Sequence, residues 1–473
     1  TGGRKVMLIE EREALGGSLR SIEFARGFRA APLAQAAQRT IVALGQQGQS
    51  VIVHASPERT AEGLARHSAR DAQRWPAFAR SMDALAGFLG ELYRQPPPRI
   101  EADTLGELFS LAGLARRYRK LGRDGMFELL RTLPIPICDL LDDEFETTAL
   151  KGALAAYAVA DVAQGPAAAG TAFTFLHRHF GALERASAQD VPTLERQARG
   201  AGVTIETNTK VRSLAVSEGR LTGVVLESGE ELSCPIVVSS LDPYRSLLEL
   251  IDPQQHDPEF MHAVRNIRFR GVATRVLLAL DGLPELPKVV AGNGAGDLRT
   301  GTFTIAPSIR YVEKAYEASK YGRCSEDPFI ELQFPTVANQ ELAPHGKHVA
   351  ILHVQYTPYR LREGTWPQLG ATVAERALAR VEDVLPGFGA RVLERKVLTP
   401  LDLETQFGVR EGAVSQGEMM LDQILFMRPV PAASRYATPI EGYFLCGAGT
   451  HPGAGVHGTS GRLAARAAMS VAR

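Results

Sequence analysis

The chain has 473 residues, 53 of them basic and 53 acidic, so its formal net charge is zero and no global field draws it to nucleic acid or an anionic membrane. That length calls for two or three domains, each with its own core. The four cysteines, Cys138, Cys234, Cys324 and Cys446, lie at least 90 positions apart without a C-x-x-C pair, which argues against a thiol-rich metal site and fits a reducing, cytoplasmic setting. No stretch approaches the roughly 18 uninterrupted apolar residues of a membrane span, and any targeting segment ahead of Thr1 is left open.

The first element is the apolar run Val6-Met7-Leu8-Ile9, closed at once by Glu10. It reads as a buried parallel strand whose carboxyl end presents a carboxylate to a ligand, as nucleotide folds do when they hold a ribose. The alternative is a solvated strand end. Gly16 and Gly17 follow as a turn where paired glycines permit positive φ and close backbone approach. From about Ser68 to Arg94 an amphipathic helix is expected, with Phe78, Met82, Leu85, Leu89 and Leu92 on a core-facing stripe. Pro96 to Pro98 form a stiff connector, Asp103 or Thr104 offers the next helix N-cap, and more helix runs to about Phe180. Within it, His177 and His179 alternate without a third ligand and read as structural rather than metal-binding.

At about Val203 the character changes to short β-branched runs around Val211, Leu214, Val224 and Leu226, with turns at Glu218-Gly219 and Ser228-Gly229. Ile236-Val237-Val238 reads as a buried strand. A helix ending near Gly200 supplies the crossover that a parallel sheet needs. From about 256 to 422, strands are expected at ATRVLLAL, PFIELQFP and HVAILHVQY and helices at SIRYVEKAYEAS and QLGATVAERALARVEDVL. The C-terminal stretch then runs from the strand Tyr443 to Leu445 into Gly447, Gly449, Gly453, Gly455, Gly458 and Gly461 and an Ala-rich helix. Strand, glycine loop and helix aim N–H groups at an anion or an electron-rich ring. The spacing G-x-G-x-x-x-G is not the dinucleotide fingerprint. His451, inside this loop, is a candidate either for lining a flavin or for stabilising the turn.

Taken together, RKVMLIEEREALGGS, GFRAAPLAQ, GVTIETNTKVRSLAVSEGRLTGVVLESGE, VLTPLDLETQFGV, MMLDQILFMRPVP and CGAGTHPGAGVHGTSGRLAARAA resemble the phytoene desaturase-related FAD-dependent oxidoreductases. Within them the pattern is most similar to the branch named for pyridine nucleotide-disulfide oxidoreductase domain-containing protein 2. The resemblance implies an α/β fold of the amine oxidase and phytoene desaturase type: a Rossmann-like FAD/NAD(P)-binding domain with an inserted α+β substrate domain. Its pieces would be 1–70, 186–255 and 423–473 for the cofactor, with 71–185 mainly helical and 256–422 α+β. FAD is the implied cofactor. Glu10 would hold its adenosine ribose, Gly16 and Gly17 would pack near its phosphates, and Val211 would offer main-chain groups to the adenine. Gly447, Ala448, Gly449, Gly453 and Gly455 would cover the pyrophosphate and ribityl chain, and Val456, opening the last helix, would point its amide at the flavin C2 carbonyl. Family members carry a strand and a G-x-G-x-x-G loop ahead of the segment matching TGGRKVMLIEE, so the resemblance also implies an N-terminally truncated domain that binds FAD weakly or not at all. Gln416 and Ala454 stand where relatives often carry histidine and glycine.

The activity implied is hydride removal from a C–H bond of a small apolar, isoprenoid or lipid-like substrate, with no nucleic-acid partner, peripheral membrane contact left open and oligomeric state unassigned. An amine oxidase-like enzyme and a scaffold that has lost flavin binding are the alternatives. No catalytic base and no metal ligand can be named from the sequence. Disulfide exchange is not expected of isolated cysteines.

Overall fold

The structure, a computed structural model, describes residues 3–34, 40–45, 50–98, 105–185, 191–286, 298–455 and 458–471. Its largest sheet has seven strands, in the spatial order Val392–Leu398, Ala273–Leu280, His348–Gln355, Phe329–Gln333, Thr302–Ile305, Ile41–Leu44 and Ser50–Val53. Neighbours are antiparallel except for Thr302–Ile305 with Ile41–Leu44. Ala273–Leu280 is buried along its whole length, which is why ATRVLLAL shows no polar alternation: both faces of the sheet are covered. On one face, Leu44, Val276, Leu278, Ile330 and Leu352 pack against the helix Trp366–Val384 through Val373, Ala377 and Val381. On the other, Ile41, Ala43, Val51 and Val53 meet a helical layer. The strands Ile41–Leu44 and Ser50–Val53 therefore complete the same sheet as the strands of 256–422, whereas the resemblance assigns the segment 1–70 to the cofactor domain.

The helical layer begins with Ala69–Tyr93, capped by the Ser68 hydroxyl accepting from the Asp71 amide. Phe78, Met82, Leu85 and Leu89 are buried on its inner stripe. Shorter helices follow at Leu105–Lys120, Gly122–Thr132, Ile137–Glu144, Thr148–Val159 and Thr171–Arg185. Asp103 and Thr104, the expected cap, lie outside the described residues. Among the described residues no helix is long and apolar enough to cross a membrane.

The second core is α/β. Met7–Ile9 pairs in parallel with Thr204–Glu206, and Val237–Ser239 in parallel with Tyr443–Leu445. The helix Val191–Gly200 leads into Thr204–Glu206. A three-stranded antiparallel sheet, Val211–Ser217, Arg220–Leu226 and Glu231–Ser233, lies alongside. Its first turn puts Glu218 and Gly219 both at positive φ, 50° and 72°, the twist that suits a two-residue hairpin. Burial departs from expectation in two places. Among the described residues, Met7–Ile9 and Val237–Ser239 each have one strand neighbour, and Met7, Leu8 and Val238 remain 47%, 36% and 41% exposed. Apolar composition marks these strands correctly, but burial depends on what packs beside them.

Candidate functional site

The strand ends of the α/β core come together around residues from opposite ends of the chain. Ile9, Val211, Tyr443 and Leu445 share one apolar core. Just past Ile9, the Glu10 amide donates to the Glu206 carbonyl (2.8 Å) and its own carbonyl accepts from Thr209 (2.9 Å). The Glu10 carboxylate is held back over the strand end, Oε1 accepting from the Arg12 amide at 3.0 Å. Arg12 and Arg245 both adjoin Gly408, within 3.2 Å and 3.5 Å of where a Cβ would stand. Arg12 follows the strand Met7–Ile9 and Arg245 follows Val237–Ser239, so residues beyond the carboxyl ends of both strands meet at Gly408. Gly16 and Gly17 sit at φ 117° and 52°, with open space around Gly17 and the Val191 methyls close to Gly16. Val211 opens its strand opposite Leu226.

The glycine loop leaves the strand Tyr443–Leu445 with the Cys446 amide donating to Ser239. Two of its glycines are required by close packing on the protein itself. A Cβ on Gly449 would stand 2.5 Å from Pro243, and one on Gly447, already at φ +90°, would stand 2.9 Å from the Ser240 carbonyl. Gly453 passes against Met419, and Gly455 is at positive φ. The glycine content thus serves the approach of this loop to residues 240–243 and 416–419 as well as any ligand. The last helix is Thr459–Val471, and the hydroxyls of Thr450 and Ser460, 2.8 Å apart, both lie 3.0 Å from the Gly447 carbonyl. Val456 lies outside the described residues.

Side chains from outside the loop clamp it, among them Gln416, Arg428, His177 with Tyr93, and Tyr436, whose hydroxyl donates to the His451 carbonyl (3.0 Å), and sequence reasoning assigned the role to none of them. Gln416 accepts from the Gly449 amide (2.8 Å) and donates to the Ser240 carbonyl (3.3 Å), so the departure noted at position 416 is a structural tie, and the Gly449 N–H is already engaged. Arg428 is fully buried and its guanidinium donates to the carbonyls of Ala448, Glu418, Gln423 and Ser415. Burial away from any carboxylate lowers its pKa to about 10 against an opposing pull from Tyr93, leaving it charged at neutral pH. His177 Nε2 lies 2.7 Å from the Ala454 carbonyl and Nδ1 lies 2.8 Å from the Tyr93 hydroxyl. A carbonyl only accepts, so Nε2 carries the proton and Tyr93 donates to Nδ1. The signal for Arg428 was present in the motif LFMRPVP; the signals for His177 and Tyr93 were not separable from ordinary helix residues.

His451 is buried edge-on to Tyr93, ring centroids 5.7 Å apart, and neither ring nitrogen has a hydrogen-bond partner among the described residues. Burial lowers its pKa to about 4, although the Leu92 and Gln95 carbonyls face the ring without reaching normal hydrogen-bond geometry and pull the other way. His179 turns elsewhere, to Asp83 at 2.7 Å. Among the described residues no group of three His, Cys, Asp or Glu side chains could hold a metal ion.

Across the helix Thr171–Arg185 from the Ala454 contact lies a cleft with about 930 Å³ of empty space, its open mouth included, lined by Ile41, Trp75, Phe78, Met82, Tyr157 and Phe175. A smaller space beside it is lined by Pro32, Leu33, Arg275 and His353, and the two share Arg178, Glu331 and Gln333. Arg275, His353 and Glu331 stand side by side in register on three adjacent strands. Arg275 Nη2 donates to both oxygens of Asp161 (2.8 and 2.9 Å), and Arg178 donates to Glu331 (2.8 Å) while its guanidinium lies 4.3 Å from the Tyr157 ring centroid. Burial pushes the Asp161 carboxyl up, but Arg275, His353 and Arg178 together outweigh it and hold the pKa at about 2. Burial likewise pushes Glu331 up, and Arg178 and His353 together leave that carboxyl lowered. His353 goes the other way for a base: burial, reinforced by Arg275, takes it down to about 4, so the ring is neutral at pH 7.

All four cysteines are free. Burial raises the thiols of Cys138 to about 12 and of Cys324 and Cys446 to about 11, and raises Cys234 as well. A thiol so protonated is a poor nucleophile.

No family model matches the chain. It is 32% identical over 448 residues to pyridine nucleotide-disulfide oxidoreductase domain-containing protein 2 of Rattus norvegicus, covering 89% of this chain and 76% of the relative. Weaker likenesses are to a limonene dehydrogenase polypeptide of Castellaniella defragrans, 25% over 95% of this chain and 87% of that one, and to a lycopene-forming phytoene desaturase of Paracoccus sp., 28% over 55% and 49%. In fold it is similar to cyclohexylamine oxidase from Brevibacterium oxydans, with a TM-score of 0.55 at 11% identity over 100% of this chain and 95% of that one. The chain belongs to the family of pyridine nucleotide-disulfide oxidoreductase domain-containing protein 2, with phytoene desaturases as more distant relatives.

Proposed function

We propose that the protein is an FAD-dependent oxidoreductase, a dehydrogenase or desaturase that removes hydride from a C–H bond of a largely apolar substrate. One observation carries the reading: Ile9, Val211 and Leu445 share a core, so Glu10 and the glycine loop extend from strands packed on the same centre. These residues fit the cofactor. Glu10 uses Oε1 on the Arg12 amide and leaves Oε2 for a ribose hydroxyl. Gly16 and Gly17 would lie by the phosphates, Val211 by the adenine, and Gly447, Ala448, Gly449, Gly453 and Gly455 along the pyrophosphate and the ribityl chain. FAD, when bound, supplies hydride acceptance; the protein supplies position and electrostatics.

The remaining residues prepare that position. Arg428 and Gln416 fix the loop, and His177 ties it to the helix Thr171–Arg185 whose Phe175 and Arg178 line the cleft. The aromatic and aliphatic part of that lining, Ile41, Trp75, Phe78, Met82, Tyr157 and Phe175, suits an apolar substrate. The names of two relatives, a limonene dehydrogenase and a phytoene desaturase, specify isoprenoids, which supports a largely apolar, isoprenoid or lipid-like substrate here. The protonated thiols argue against disulfide chemistry.

The test is the visible spectrum of the purified protein before and after FAD is added, followed by anaerobic titration with monoterpene or carotenoid hydrocarbons and with primary amines. Flavin bands bleached by hydrocarbons support the reading. No bound flavin under any condition overturns it, and bleaching by amines alone converts it to an amine oxidase.

A further inference from the structure

The smaller space beside the cleft holds polar groups that the hydride reaction does not use. Gln355 is oriented by the backbone: its Nε2 donates to the carbonyls of Val159 (2.9 Å) and Val162 (3.2 Å), and its Oε1 accepts from the Asp161 amide (2.8 Å). That oxygen also lies 2.9 Å from His353 Nε2. Since Oε1 can only accept, the neutral His353 ring must carry its proton on Nε2. Nδ1 is then a bare lone pair, 3.8 Å from the nearest Asp161 oxygen.

Directly opposite in register, Arg275 is 5% exposed. Its Nη2 is committed to Asp161, but its Nη1 is buried with no hydrogen-bond partner among the described residues. A buried guanidinium donor left unmatched costs free energy. Two residues that line the space, Arg275 and His353, thus carry an unmatched buried donor and an unused acceptor. The charges around them cancel, Arg275 against Asp161 and Arg178 against Glu331, so no net field selects an ion.

We propose that this space is a hydroxyl-binding subsite: a substrate hydroxyl accepts from Arg275 Nη1 and donates its proton to His353 Nδ1, while its apolar remainder lies along the cleft past Trp75 and Phe78. The substrate is then an apolar alcohol, such as a prenyl, steroidal or long-chain alcohol, rather than a plain hydrocarbon. This rests on the cleft being the substrate site of the proposed oxidoreductase. It does not depend on flavin being bound.

Trp75 lines the cleft, whereas Trp366, the second of two tryptophans, packs on the opposite face of the sheet. Tryptophan fluorescence can therefore be titrated with 1-octanol, methyl octyl ether and n-octane. The ether keeps the acceptor and loses the donor; the alkane has neither. The alcohol is expected to bind about tenfold tighter than the ether, and the ether about tenfold tighter than the alkane. In His353→Phe the alcohol and the ether should become equal, and Arg275→Lys, which keeps a charge for Asp161, should weaken both relative to the alkane. Equal affinities for all three probes in the wild-type protein would overturn the subsite, as would octanoate binding more tightly than octanol. Because none of these readouts uses flavin absorbance, failure here leaves the spectral test of the oxidoreductase reading standing.

Discussion

The glycine loop at 446–455 is held by neutral main-chain groups gathered around one buried cation, Arg428, whereas the sheet face at Arg275, His353 and Glu331 holds two buried ion pairs that join its strands to the helical layer, Arg275 to Asp161 and Glu331 to Arg178. The loop is shaped by close approach: no side chain fits between Gly449 and Pro243. The sheet face is shaped by charge compensation. On the proposed reading, one side of the site would take a bulky cofactor through its outline, and the other a substrate through a few directed hydrogen bonds.

Removing the buried cation should do the most damage. Arg428→Met leaves buried carbonyls at Ser415, Glu418, Gln423 and Ala448 without their donor, and should cost about 4 kcal/mol in urea unfolding. On the charged side, Asp161→Asn strands Arg275 in a buried position and should cost about 3 kcal/mol by the same measurement. If the second loss exceeded the first, the loop would be the less constrained of the two regions.

Acid probes both regions at once, because each buries a neutral histidine. His353 and His451 have folded pKa values near 4, below the ordinary value of 6.5. As pH falls through 6.5 the unfolded state takes up protons that the native state refuses, so stability falls between pH 6.5 and 4 and is fully present above that window. Each histidine should contribute a loss of roughly 2 kcal/mol by pH 5. His451→Phe should remove one share of that slope without touching the other, as measured by unfolding at pH 7 and pH 5. The smallest effect concerns packing in the loop. Gly449→Ala should cost about 1–2 kcal/mol through overpacking against Pro243, while Gly461→Ala, a helical position with open space around it, should be neutral or stabilising by under ~1 kcal/mol.

The same contrast sets what could be read from the sequence. ATRVLLAL, HVAILHVQY and the helix after Thr365 stand out as continuous or periodic apolar runs, and they fold as expected. Ile41–Leu44 and Ser50–Val53 were not legible as part of the substrate-domain sheet. They are four residues each, and Ile41–Leu44 pairs with Thr302–Ile305 some 260 positions later, a partnership that no local pattern encodes. Met7, Leu8 and Val238 are less buried than their composition suggests, because burial depends on neighbours that composition does not specify. On the site side, glycine spacing exposed the loop, but its clamps were hidden. Arg428 and Gln416 act on main-chain carbonyls and amides, which leave no complementary residue in the sequence to find. The ion pairs Arg275–Asp161 and Arg178–Glu331 join positions more than 110 apart, so they too appear only once the helical layer is packed on the sheet.

Whether segments from both ends of the chain grip one flavin is decided by FAD titration of the wild-type protein, Glu10→Ala and Gly449→Ala, with circular dichroism to verify folding. Each substitution should weaken FAD binding by about tenfold or more while the protein stays folded. An FAD affinity that either folded variant left unchanged would contradict a shared grip.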